Sequence, residues 1–173
     1  VTISTSKDLS SPQVFEGRCV KPLKRVVDDT TIIGYFVNKV TVTGLKENTT
    51  YYYQCKSVNF ESEIHSFKTD GGAEFSAMYV TDVHITEIDD GNPNSLSDTS
   101  YRFHQTLEDA LSKNKNISLL LSAGDQATEG LEGEYMAFSS SPLLKSISVA
   151  TAMGNHDRKG AAYKLFKNVP NED

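Results

Sequence analysis

The sequence lacks any apolar run long enough to cross a membrane. Its hydrophobic content is 38% and its mean hydropathy is -0.40, and no stretch approaches the roughly 18 apolar residues of a transmembrane helix. Runs of lysine and arginine are also missing, and the formal net charge is -6. We therefore expect no membrane span and no non-specific binding of nucleic acid. The length of 173 residues leaves room for one or two globular domains.

Cysteine is scarce, since Cys19 and Cys55 are the only two. They are either two free thiols or one disulfide, and the residues alone leave both alternatives open. A disulfide would imply an oxidising compartment. The triplets that begin at Asn48 and Asn116 fit the N-glycosylation pattern, which would agree with such a location. We therefore expect the protein to be extracellular, in the cell envelope or in the secretory compartment.

The two parts of the chain follow different patterns, and the boundary lies near residue 70. Residues 1–69 contain short runs rich in β-branched and aromatic residues, among them 40–43, 51–55 and 62–69, and no amphipathic helix. This pattern predicts an all-β sandwich. The glycine-rich residues 70–73 that follow predict a linker.

Apolar runs alternate with helical periodicity in the second part. The runs at 75–80, 117–123 and 147–153 predict three buried strands. Apolar residues at helical spacing predict a helix over 99–113, capped by Ser97 or Asp98, and a second helix within 132–145. The order strand, helix, strand, helix, strand predicts parallel strands joined by right-handed crossovers.

Functional residue types follow each of these predicted strands. Asp82 and His84 follow the first strand, Gly124 and Asp125 the second, and the string Gly-Asn-His-Asp, residues 154–157, the third. Because ligands bind at the carboxyl ends of parallel strands, we expect these side chains to converge. Carboxylates and imidazoles suit divalent ions such as Mn, Fe or Zn, and one carboxylate can bridge two metals.

In this order the motifs resemble those of the calcineurin-like metallophosphoesterase superfamily. The N-terminal part resembles the fibronectin III-like β-domain that precedes the catalytic domain in purple acid phosphatases. The resemblance implies a β-sandwich over residues 1–69, incomplete at its N terminus, and the first part of an α/β metallophosphoesterase domain over residues 70–173. It also implies that Tyr51 bonds back from its strand to the preceding loop. The implied activity is phosphate-ester hydrolysis; phosphomonoesters are favoured, and phosphodiesters or nucleotides stay open.

The resemblance also assigns roles to the motif residues. It implies two Fe, Mn or Zn ions held by four ligands, namely Asp82, His84, Asp125 and Asn155. Asp125 would bridge the two ions. His156 would contact the phosphate or protonate the leaving oxygen, and Asp157 would orient His156 by a hydrogen bond.

The chain departs from this pattern in two ways. Purple enzymes have glycine in place of His84, and a metal-binding tyrosine in place of Thr128, so we expect no purple tyrosinate-iron colour. The superfamily also has an isolated histidine and a Gly-His-X-His block downstream, and neither occurs before Asp173. We therefore expect an N-terminal portion of a longer enzyme, whose half-site binds metal weakly. The alternative is a non-catalytic binding module with a degenerate phosphoesterase scaffold.

Overall fold

A computed structural model describes residues 1–27, 30–72, 74–87 and 91–168. In the N-terminal part the strands are β1 (Thr2–Ser4), β2 (Gln13–Val14), β3 (Arg18–Val27), β4 (Thr30–Lys39), β5 (Thr50–Gln54), β6 (Lys56–Ser57), β7 (Phe60–Glu61) and β8 (His65–Lys68). The second part contains β9 (Ser76–Val80), α1 (Ser95–Lys113), β10 (Ile117–Ser122), α2 (Glu132–Phe138), a 3-10 helix (Pro142–Lys145), β11 (Ser148–Thr151) and α3 (Tyr163–Phe166).

The N-terminal part is rich in strands, as its composition predicted. Four strands form an antiparallel sheet in the order β2-β1-β5-β8, and β3 pairs with β4 in a separate hairpin. The strand predicted over 40–43 is wrong, because these residues are irregular in the structure. Their β-branched side chains favour an extended backbone, but a strand also needs a neighbour that completes its hydrogen-bond ladder.

Tyr51 closes the loop that precedes β5. Its side chain is buried, and its hydroxyl oxygen accepts a hydrogen bond of 2.8 Å from the backbone N–H of Lys46. The Tyr51 ring stacks on Phe67 of β8 with the centroids 6.0 Å apart. The predicted bond from this tyrosine to the preceding loop is therefore confirmed. Cys19 is exposed, Cys55 is half-buried, and both are free thiols.

The second part is built on a parallel sheet in the order β11-β10-β9, as the strand and helix order predicted. Helices α1 and α2 cover one face, and the core between the layers consists of Ile85, Phe103, Leu107, Leu120 and Phe138. The other face is apolar but exposed. Tyr79 lies on it and remains 68% exposed. Parallel sheets are normally covered on both faces; within the described residues this one is covered on one face only.

Helix α1 begins four residues earlier than its apolar periodicity predicted. Asn94 precedes its first residue, so the predicted caps Ser97 and Asp98 are wrong and lie in the first turn. The reason is tertiary. Ser95 is buried, and its hydroxyl donates a hydrogen bond of 3.1 Å to the carbonyl oxygen of Glu87. This contact and the packing of Leu96 against the core hold a first turn that the apolar periodicity did not include.

The two parts of the chain touch through side chains of the β-rich part. The Tyr53 hydroxyl donates a 2.9 Å hydrogen bond to the carbonyl oxygen of Lys145, at the end of the 3-10 helix. The Lys39 ammonium donates to the carbonyl oxygens of Lys164 and Lys167, at 2.8 and 2.9 Å, around the end of α3. A cation at a helix C terminus is favourable, because the carbonyl groups there have no partner within the helix. Among the described residues, no helix combines the length and apolar character that membrane crossing requires.

Candidate metal centre

The loops after the parallel strands run side by side. Beyond the end of β9, the N–H of His84 donates to the carbonyl oxygen of Asp125 at 3.0 Å, and that of Ile85 to Gln126 at 2.9 Å. Asp82, His84 and Asp125 all have positive φ angles, of 53°, 48° and 51°. This left-handed region is uncommon for residues with a side chain, and such residues cluster at functional sites. The turns bring the first two motifs together at the carboxyl edge of the sheet.

His84, Asp125 and His156 form the centre of the site. One potential ligand atom from each residue lies within 4.8 Å of those of the other two. The two imidazole rings meet edge to face with the centroids 4.6 Å apart. Asp125 is only 8% exposed, and its Oδ1 accepts a 2.9 Å hydrogen bond from the backbone N–H of His156. Imidazole and carboxylate groups are donors that suit Zn, Mn or Fe, and His84 and Asp125 offer one of each.

A backbone carbonyl group orients His156. The ring Nδ1 lies 2.8 Å from the carbonyl oxygen of Thr128. A carbonyl oxygen only accepts, so Nδ1 carries the proton, and Nε2 of the neutral ring keeps its lone pair. The prediction that Asp157 orients this ring is therefore corrected: Thr128 does so. The identity of Thr128 as threonine did not indicate this role, since every residue has a backbone carbonyl oxygen.

Asp157 instead joins the loops beneath the site. It is fully buried, and its Oδ2 accepts hydrogen bonds from the backbone N–H groups of Asp125 at 2.8 Å and Gly154 at 2.9 Å. Its Oδ1 accepts from the Tyr135 hydroxyl at 2.8 Å and the Ala127 N–H at 3.2 Å. These four donors compensate the burial of the carboxylate. Asp157 thus holds the backbone of the loops and the Tyr135 hydroxyl, and not the His156 ring that it was predicted to orient.

Asp82 and Asn155, the other predicted metal ligands, lie at the solvent side. The Asp82 side chain is 60% exposed, and its Oδ1 is 3.7 Å from Nε2 of His84. Its Oδ2 accepts a hydrogen bond from the Thr81 hydroxyl. Asn155 is exposed, and its side chain makes no hydrogen bond to any residue that the structure describes. The structure thus brings Asp82 beside His84 and leaves Asn155 free to turn.

Lys167 and Tyr135 lie in unusual environments near Asp157. Lys167 is buried, and its Nζ is 4.2 Å from the centroid of the Phe138 ring. Burial lowers the pKa of Lys167 to about 8, although the charge of Asp157 acts in the opposite direction. Burial raises the pKa of Tyr135, and its hydrogen bond to Asp157 raises this pKa further. Sequence reasoning missed both residues, because lysine is rarely buried and a tyrosine in an apolar stripe is usually core.

The two motif glycines allow the second and third loops to touch. Gly124 has a φ of 126°, which favours glycine, and a Cβ added to it would lie 2.8 Å from Cα of Gly154. A Cβ on Gly154 would lie 2.7 Å from Cγ of Asp125. Both distances are shorter than ordinary contacts between heavy atoms. The glycines are therefore required by the close approach of the loops that carry Asp125 and His156.

Replacing Gly154 with alanine is expected to displace Asp125. We expect a loss of about 1–3 kcal/mol in the free energy of unfolding, as for other overpacked sites, and about a tenfold loss of affinity for Mn²⁺. Denaturant unfolding and calorimetric titration with Mn²⁺ measure the two effects. Gly72→Ala is the matched control, because the nearest atom to its added Cβ is 3.4 Å away. Equal effects of the two substitutions would contradict the expected clash.

Comparison with family models gives a match in each part of the chain. Residues 3–69 match the model described as the N-terminal domain of purple acid phosphatase. Residues 76–173, more than half of the chain, match the model described as calcineurin-like phosphoesterase. No curated protein is similar enough in sequence to match.

Among solved structures, the chain is similar to a purple acid phosphatase isolated from seeds of yellow lupin, Lupinus luteus. The TM-score is 0.62 at 16% sequence identity, and the similarity covers 99% of this chain. It covers 36% of the lupin chain, so the present chain spans about a third of that enzyme's length. At this identity the similarity concerns the fold.

Proposed function

Because the chain belongs to the calcineurin-like phosphoesterase family, we propose that it is part of a metal-dependent phosphoesterase whose centre lies where His84, Asp125 and His156 meet. The observation that carries the proposal is the approach of one ligand atom from each of these residues to within 4.8 Å of the others. The cluster lies at the carboxyl ends of parallel strands, where ligands bind in such sheets.

The residues present fit a metal centre. Asp125 offers a buried carboxylate between two imidazoles, and exposed Asp82 and Asn155 stand beside them with side chains that can turn inward. We propose that Asp82, His84, Asp125 and Asn155 hold two ions of Fe, Mn or Zn. When bound, such ions polarise a phosphoryl oxygen and supply a water of lowered pKa.

His156 is proposed to act on the substrate. The Thr128 carbonyl occupies Nδ1 and leaves Nε2 as the ring atom that faces the site, and the ring is half-buried beside His84. In the protonated form, Nε2 can donate a hydrogen bond to a phosphate oxygen or a proton to the leaving oxygen. The fixed ring favours this transfer, because little reorientation is needed before it.

The remaining parts of the proposal concern substrate, organisation and location. We favour a phosphomonoester substrate, because the N-terminal residues match a domain described for purple acid phosphatases. We also propose two units, residues 1–69 and residues 70–173, which agree with the separate family matches. An extracellular or cell-envelope location stays a proposal.

Assays with paired substrates test the function. The natural protein that contains this chain would be treated with a chelator and assayed with 4-nitrophenyl phosphate and bis(4-nitrophenyl) phosphate. We expect Mn²⁺, Zn²⁺ or Fe²⁺ to restore hydrolysis, with the monoester favoured by about tenfold, a difference of about 1.4 kcal/mol in activation free energy. Faster hydrolysis of the diester would contradict the proposed phosphomonoester substrate but would still support a phosphoesterase activity. No metal-dependent hydrolysis of either ester would contradict the function and favour the non-catalytic binding module.

A further inference from the structure

Tyr135 lies beneath the candidate metal centre without touching it. It stands on α2 and is fully buried. Its ring stacks on that of Phe166, with the centroids 5.9 Å apart, and meets the ring of Tyr163 edge to face at 6.0 Å. Aromatic contacts from α3 thus hold the ring in one orientation, and its hydroxyl group points to a defined place.

That place is the carboxylate of Asp157. The Tyr135 hydroxyl lies 2.8 Å from Oδ1. The pKa of Tyr135 is raised, chiefly by burial and then by this hydrogen bond, so the phenol stays protonated and donates. Asp157 is the acceptor, and a hydrogen bond to an ionised acceptor is stronger than one between neutral groups.

The carboxylate transmits this constraint to both loops of the site. Oδ2 of Asp157 accepts from the backbone N–H groups of Asp125 and Gly154, at 2.8 and 2.9 Å. Gly154 is two residues before His156, and Asp125 is the buried carboxylate of the cluster. Tyr135 is therefore linked to each of the two loops through one side chain, that of Asp157.

We propose that Tyr135 is a positioning residue of the metal centre, which fixes Asp157 and, through it, the loops that carry Asp125 and His156. The proposal rests on the proposed function, because it assigns Tyr135 to the same metal site. Partners beyond the direct ligands typically alter metal affinity or activity by about 10–100-fold.

Tyr163 offers a matched control. It is also buried and belongs to the same aromatic cluster. Its hydroxyl donates to the carbonyl oxygen of Thr151 at 3.0 Å and lies 3.0 Å from the hydroxyl of that residue. Tyr163→Phe therefore removes a buried hydroxyl from the cluster without removing a donor from Asp157.

The experiment compares Tyr135→Phe with Tyr163→Phe in two measurements. Amide hydrogen exchange, followed by NMR without metal, reports on the N–H groups of Asp125 and Gly154. We expect Tyr135→Phe to accelerate their exchange by about tenfold, which corresponds to one hydrogen bond of about 1.4 kcal/mol. Titration with Co²⁺, followed by visible absorption, should show an affinity about tenfold lower and an altered band. Tyr163→Phe should change neither quantity by more than about twofold.

The two measurements separate the two proposals. Unchanged exchange at Asp125 and Gly154 in Tyr135→Phe, or equal acceleration in Tyr163→Phe, would overturn the positioning role. A normal Co²⁺ affinity and band in Tyr135→Phe would also overturn it. If the natural protein that contains this chain shows no Co²⁺ band, the proposed function fails, while the exchange rates still decide whether Tyr135 holds the loops.

Discussion

Asp125→Asn is expected to lower the affinity for Mn²⁺ by about a thousandfold and to abolish phosphoester hydrolysis. Two unit charges 4 Å apart attract by about 4 kcal/mol at the effective dielectric constant near a protein surface, and that energy corresponds to about a thousandfold in affinity. Mn²⁺ carries two charges, so about a thousandfold is the smallest loss that we expect. Asparagine keeps the shape of the side chain, and its Oδ1 can still accept the hydrogen bond from the His156 N–H. The loss of Mn²⁺ affinity should therefore come from the missing charge, and the fold should stay intact.

Calorimetric titration and ester hydrolysis measure the two effects of Asp125→Asn, and circular dichroism verifies the fold. Asp109→Asn serves as the control, because Asp109 is exposed on α1, where its carboxylate pairs with Lys113 at 2.7 Å. It should retain the affinity and activity of the unsubstituted protein. Unchanged Mn²⁺ affinity in Asp125→Asn would place the metal elsewhere and would remove the central residue of the proposed site.

Asp157→Ala is expected to destabilise the second part of the chain strongly. It leaves the Tyr135 hydroxyl and three backbone N–H groups without their acceptor. A buried donor without a partner costs about 1–3 kcal/mol. Because water can enter the vacated space and satisfy some of these donors, we expect a net loss of about 4 kcal/mol in the free energy of unfolding. The loops of Asp125 and Gly154 should also separate, so Mn²⁺ binding should weaken.

Urea unfolding at constant pH measures the stability of Asp157→Ala. Asp109→Ala removes an exposed carboxylate of a surface ion pair and should change the free energy of unfolding by less than about 1 kcal/mol. A cost below about 1 kcal/mol for Asp157→Ala would show that the buried carboxylate does not join the loops. If Asp157→Ala lowers the free energy of unfolding strongly but leaves the Mn²⁺ affinity unchanged, Asp157 stabilises the loops without setting the geometry of the metal site.

The errors of sequence reasoning share one cause. The strand predicted over 40–43 requires a neighbouring strand, and the early start of α1 depends on the contact between Ser95 and Glu87. The orienting partner of His156 is a backbone carbonyl, and the buried hydroxyl of Tyr135 is aimed at Asp157 from another helix. Each feature depends on a group elsewhere in the chain or on a backbone group. Neither kind of group produces a local pattern in the amino-acid sequence.

The sequence by itself determined the strand-rich first part, the parallel strands of the second part and the motifs at their ends. These features follow from side-chain periodicity and from residue types a few positions apart, which are local properties. The convergence of the motifs was also predicted, but only the tertiary structure decided which side chains meet, namely His84, Asp125 and His156, and that Asp82 and Asn155 lie at the solvent side. It also decided that Asp157 is a buried link between loops. The reason is physical: burial and hydrogen-bond partners depend on which loops the sheet places side by side.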